Sequence, residues 1–150
     1  MRKMILFVSV AVLALTLGGL TQAKTGKAKA AVQEHSMKIA MTGGAEVPGP
    51  GDPDGGGTVN LTFNHDKGEV CYDFTVSNID TPTAAHIHEG AAGKSGGPKV
   101  AFKAVNGAWK GCVPADKAVI ASIMKDPGGF YVNVHNKEFP GGAIRGQLGK

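Results

Sequence analysis

Val59-Asn60-Leu61-Thr62-Phe63, the polar step Asn64-His65-Asp66-Lys67-Gly68, and Val70-Cys71-Tyr72-Asp73-Phe74-Thr75-Val76 decide the fold of this chain. Both apolar runs alternate with a period of two, which is strand geometry and not helix geometry. Val70, Tyr72, Phe74 and Val76 then lie on one face, and Cys71, Asp73 and Thr75 on the other. Two such runs joined by a short polar connection read as a β-hairpin.

The same rhythm extends in both directions. Upstream, Met37-Lys38-Ile39-Ala40-Met41 alternates, and Gly43 to Gly57 is a loop of three prolines and seven glycines. Downstream, strands are expected at Thr83–Gly90, Val100–Ala104 and Trp109–Val113, with a turn at Asn106-Gly107. Pro114 and Asp116 open the one helical pattern, in which Ala118, Ile120 or Ala121, and Met124 recur, and Pro127-Gly128-Gly129 stops it. Phe130–His135 and Ala143–Leu148 complete the set. The 23 glycines and 8 prolines in 150 residues supply the turns that such short strands need. The expected fold is all-β: an antiparallel Greek-key sandwich or barrel of about seven or eight strands, with one short helix near 115–125.

The N-terminus reads as an export signal. Arg2 and Lys3 precede an apolar run from Ile5 to Leu17, and Thr21-Gln22-Ala23 places small residues where a signal peptidase cuts. Cleavage is expected after Ala23, and no lipid-anchoring Cys follows the apolar run. That run is short for a membrane span, and no later segment approaches one. Residues 1–23 are thus read as signal peptide, 24–35 as a Lys/Ala-rich flexible leader and 36–150 as the domain. The leader carries part of the net charge of +4, so the domain is less basic than the whole chain. No cluster of Lys and Arg interleaves with aromatics, which argues against nucleic acid as a partner. The expected location is periplasmic or extracellular.

Export permits the two cysteines, Cys71 and Cys112, to form a disulfide, and one pair allows only one intramolecular connectivity. Trp109, three residues before Cys112, is expected to pack against that bridge.

Function points to histidine. In His86-Ile87-His88, the first and third residues share a strand face, opposite Ala85 and Ile87. In Phe130-Tyr131-Val132-Asn133-Val134-His135, Tyr131, Asn133 and His135 share a face opposite Val132 and Val134. With the aliphatic faces in a core, His86, His88 and His135 project together from the other side. Three neutral imidazoles are a ligand set for copper or zinc that leaves one coordination position open. The competing reading is structural: buried imidazoles that bond backbone carbonyls and fix loops. Asn133 can orient a histidine through its amide. Arg145 can tie the last strand to the loop bearing Glu46 by an ion pair, or hold an anionic ligand. His35 and His65 are expected in solvent, and Glu89 on the face opposite His88. The serines at 36, 77, 95 and 122 stand in no nucleophile elbow, and no carboxylate pair is placed for glycoside hydrolysis.

Four stretches taken together resemble the CHRD domain, a family named from chordin and found in exported bacterial proteins. They are Gly44–Pro48, Ala84–Gly90, Tyr131–His135 and Pro140–Leu148, in the family's order. Two departures stand out. Ala143 occupies the position before Ile-Arg-Gly-Gln where the family commonly has an acidic residue, and Gly49 replaces a second proline after Pro48. The resemblance implies an all-β extracytoplasmic domain and no particular reaction. A His-x-His strand in a Greek-key protein also looks like copper/zinc superoxide dismutase, although too few histidines remain for a dinuclear site.

Three functions follow as expectations. The first is a binding module holding copper, or failing that zinc, on the histidine cluster. The second is a copper-dependent redox enzyme resembling a dismutase. The third is a metal-free structural or adhesive domain with an extracytoplasmic protein partner.

Overall fold

A computed structural model describes residues 34–104 and 106–149, so the proposed signal peptide and most of the leader lie outside the described residues. Eight strands follow in order: β1 (Glu34–Thr42), β2 (Gly56–Asn64), β3 (Glu69–Ser77), β4 (Ala84–Glu89), β5 (Pro98–Phe102), β6 (Lys110–Pro114), β7 (Phe130–His135) and β8 (Ile144–Gln147). Among the described residues one α-helix forms, α1 (Lys117–Lys125), between β6 and β7. The expected all-β fold with one short helix is what forms. β1 starts at Glu34, two residues inside the stretch read as leader.

β2 and β3 form the hairpin, in register from Gly56↔Ser77 to Asn64↔Glu69. Its turn is made by Asn64, whose side-chain oxygen accepts from Lys67 N at 3.0 Å, and by Gly68 at φ 66°. Val59, Leu61, Phe63 and Val70 are fully buried, and Tyr72 nearly so. Each such side chain contributes roughly 1.5–3 kcal/mol of burial. Asp116 caps α1 by accepting from Ala118 N at 2.7 Å, and the helix buries Ile120 and Ile123.

The strands form one antiparallel sheet in the order β5-β4-β7-β8-β1-β2-β3-β6. The pairings β4–β7, β8–β1 and β3–β6 join strands distant in sequence, so long connections cross the fold as Greek keys require. The sheet curls until its two ends meet. Phe102 of β5 lies 4.6 Å from Tyr72 and 5.4 Å from Phe74 of β3, centroid to centroid, and Tyr72 Oη donates to Lys103 O at 2.6 Å.

Cys71 and Cys112 are cross-strand partners on β3 and β6 and are joined by a disulfide. Trp109 does not serve it. The indole packs edge-on against Phe74, with centroids 6.5 Å apart. The alternation explains this: Phe74 points into the core, whereas Cys71 points outward with Asp73.

Candidate metal centre

The site is built on the outer face of β4, β7 and β8. Their inner faces supply Ala85, Ile87, Val132, Val134 and Ile144 to the core, all 1 % exposed or less. Alternation therefore turns His86, His88, Tyr131, Asn133 and Arg145 outward. This second face is not left to solvent: His88 is 9 % exposed, Tyr131 3 %, and Asn133 and Arg145 2 % each. The register completes the arrangement. His86 sits opposite Asn133, His88 opposite Tyr131, and Asn133 opposite Arg145.

His86, His88 and His135 come together, with one ligand nitrogen from each within 4.8 Å of the others. His86 Nδ1 and His135 Nε2 are 3.1 Å apart. The rings of His86 and His88 lie 5.4 Å apart, and those of His86 and His135 5.0 Å. Two backbone carbonyls set the tautomers. His88 Nδ1 donates to Gly96 O at 2.8 Å, and His135 Nδ1 to Pro140 O at 3.0 Å. A carbonyl can only accept, so each ring carries its proton on Nδ1 and a lone pair on Nε2. The His88 Nε2 lone pair is buried and has no partner. His86 then donates its own Nδ1 proton to His135 Nε2. Burial first, and then the neighbouring imidazoles His135 and His88, hold the His86 pKa below 6.5. Burial also lowers His135, against the opposing pull of its bond to Pro140. Both rings are neutral at pH 7, the form that binds metal.

Supporting residues fall into two groups. Tyr131 stacks on His88, with centroids 4.9 Å apart and planes 7° from parallel, and Arg145 Cζ lies 3.4 Å from the Tyr131 centroid. Arg145 Nη2 donates to Ala91 O, Lys94 O and Gln147 Oε1, at 3.2, 2.9 and 3.3 Å. The guanidinium thus ties β8 to the glycine-rich loop after β4. Glu46 is close enough to interact with Arg145 by charge, yet no ion pair joins them among the described residues. The Glu46 carboxyl is pushed up to about 7, because burial outweighs the Arg145 charge and hydrogen bonds from Val47 N and Asn133.

The remaining expectations resolve simply. His35 is exposed on β1, and His65 is half-exposed in the β2–β3 turn. Glu89 points away from the histidines and pairs with Lys99 at 2.7 Å. Sequence reasoning placed Tyr131 on the histidine face but gave it no role. The carbonyls of Gly96 and Pro140 had no signal in the sequence, since every residue offers one.

A family model described as the CHRD domain matches residues 37–148. No curated protein and no solved structure matches the chain. The matched span runs from within β1 to Leu148 just beyond β8, taking in β2 to β8 and all three clustered histidines, and the chain belongs to the CHRD domain family.

Proposed function

We propose that this domain is an exported binding module that holds one transition-metal ion on His86, His88 and His135. The reading rests chiefly on one observation. Three imidazole nitrogens lie within 4.8 Å of one another, and carbonyls on Nδ1 of His88 and His135 leave Nε2 as the lone-pair nitrogen of each ring, unpartnered in His88 and accepting from His86 in His135. Carbonyl-oriented imidazoles of this kind are the usual supporting shell of histidine metal sites. Copper(II) stands ahead of zinc(II) because it binds a given nitrogen set more tightly. For His86 Nδ1 to serve as a ligand, the proton it donates to His135 Nε2 would shift to His86 Nε2, which would free both lone pairs. His86, His88 and His135 would hold the ion, which would supply Lewis acidity, while the chain supplies the orientation and burial of the ligands.

One observation favours a metal-free structural role instead: His86 and His135 already satisfy each other at 3.1 Å. Calorimetric titration with copper(II) and with zinc(II) separates the two readings. One equivalent should bind to the wild type. Binding should vanish in His86→Ala and His135→Ala, with the β-sheet circular dichroism unchanged. A folded wild type that takes up neither metal, or variants that take up as much as wild type, would refute the metal site. Copper-loaded protein that turned over superoxide faster than free copper would move the reading to a redox enzyme.

A further inference from the structure

A second set of metal-ligating side chains lies on the outer face of β3 and β6. Glu69 and Cys71 stand two residues apart on β3, so alternation gives them one face. Register sets Cys112 of β6 directly opposite Cys71. A carboxylate oxygen of Glu69 lies 3.7 Å from Cys71 Sγ, and the three ligand atoms all lie within 4.8 Å of one another. Cys112 is exposed, and Glu69 and Cys71 are half-buried. A hollow of about 280 Å³ adjoins the bridge, lined by both cysteines with Asn60, Thr62, Asp73 and Lys110.

While the disulfide stands, neither sulfur can act as a thiolate ligand. With the bridge opened, the spacing suits a metal ion. A tetrahedral zinc ion bonded to sulfur at about 2.3 Å and to oxygen at about 2.1 Å has S···O edges of about 3.6 Å and S···S edges of about 3.8 Å. The Glu69–Cys71 separation already matches the first edge. Rotation of the cysteine side chains supplies the second, because their Cα atoms stand only 3.9 Å apart across the two strands. Asp73 on the same face is held by Lys110 at 2.6 Å, whereas Glu69 makes no ion pair among the described residues. Glu69 is thus the carboxylate left to serve as an oxygen ligand.

We infer that reduction of the Cys71–Cys112 bridge opens a second metal site, in which both sulfurs and a Glu69 carboxylate oxygen hold one zinc(II) ion and leave a fourth position for water. The reductant is a dithiol. One of its thiolates attacks Cys112 Sγ, on the more exposed residue, and expels Cys71 as a thiolate. The second thiolate of the dithiol then attacks the first and releases Cys112. The dithiol ends as a disulfide, the bridge has gained two electrons and two protons, and zinc displaces those protons from the thiols. None of the three clustered histidines takes part, so the site stands or falls apart from the proposed histidine centre.

The test uses cobalt(II) as a spectroscopic substitute for zinc. The protein is reduced with dithiothreitol, freed of it under nitrogen, and titrated with cobalt(II). A thiolate-to-cobalt charge-transfer band in the near ultraviolet should reach its limit at one equivalent and be bleached by zinc(II). Imidazoles give no such band, so the variant with His86, His88 and His135 all replaced by Ala should keep it. The oxidised protein should not show it. Glu69→Gln should weaken binding by about tenfold or more, since even an outer-shell partner is worth that much. Zinc should also raise the melting temperature of the triple-histidine variant when reduced and leave it unmoved when oxidised. Absence of the band from the reduced, folded protein would overturn the assignment, as would binding unchanged by Glu69→Gln. So would a bridge that the dithiol cannot open in the folded protein, or a reduced chain that loses its β-sheet circular dichroism and does not regain it with zinc.

Discussion

Glu46→Gln keeps the shape of a buried side chain and removes its proton equilibrium. In the folded protein the Glu46 carboxyl is raised from 4.5 to about 7, chiefly by burial. A carboxyl raised in the folded state binds its proton more tightly there than in the unfolded chain. Folding is therefore favoured below the unfolded value of 4.5, and that contribution is lost as pH rises through about 7. At about 1.36 kcal/mol per pH unit, the loss is roughly 3 kcal/mol once Glu46 is fully ionised. Histidine works in the opposite sense. His86 and His135 are lowered, so their contribution is present above 6.5 and lost as pH falls through their folded values. Comparing the variant with wild type at each pH removes the histidine contribution, because both proteins carry it. Urea denaturation at about pH 4 and about pH 8 measures the difference. Relative to wild type, Glu46→Gln should gain roughly 3 kcal/mol between the two, on the order of 10 °C in melting temperature. A difference of the same size at both pH values would show that Glu46 ionises as freely as a surface carboxylate, and the reasoning from burial would fail.

Three further outcomes are expected. Replacing both Cys71 and Cys112 by Ala removes a bridge across 41 residues, which by chain entropy costs about 4 kcal/mol, and urea midpoints with and without a reductant check it. Gly146→Ala drives a methyl group into the Ala40 carbonyl and to 2.6 Å from Ile39 Cγ2, where β8 meets β1. It should destabilise by about 1–3 kcal/mol, whereas Gly44→Ala, which meets nothing within 4 Å, should be close to neutral in the same melts. If the histidines hold copper, the protons that compete for His86 and His135 bind below the ordinary 6.5. Copper affinity should then be level from pH 8 down to about 6.5 and fall only below it. Calorimetry across that range tests this, and a fall already complete at neutral pH would contradict it.

Much of this architecture was legible in the chain. Alternation along 59–63 and 70–76 announced the hairpin because each strand buries one face, and period two then governs which residues are apolar. The helix was readable from its cap at Asp116 and its stop at Pro127-Gly128-Gly129. Trp109 was misread because nearness in sequence to Cys112 says nothing about which face of the sheet it meets. Arg145 was expected to tie the last strand to the Glu46 loop. Its Nη2 donates to the Ala91 and Lys94 carbonyls and to the Gln147 side chain, and backbone carbonyl acceptors leave no mark in a sequence.

The sequence by itself determined the strands, which side chains share a face, and that His86 and His88 must point the same way, since these depend only on local backbone geometry. Tertiary structure alone decided that β7 pairs with β4 so that His135 lies beside His86, and that loops cover the outer face until Asn133 and Arg145 are buried. It also left Arg145 Nη1 and Glu46 Oε1 buried without partners. The reason is physical. Register between strands 40 or more residues apart is set by the packing of the whole core, and the placement of one carbonyl by the path of a loop. No local pattern of residue types encodes either.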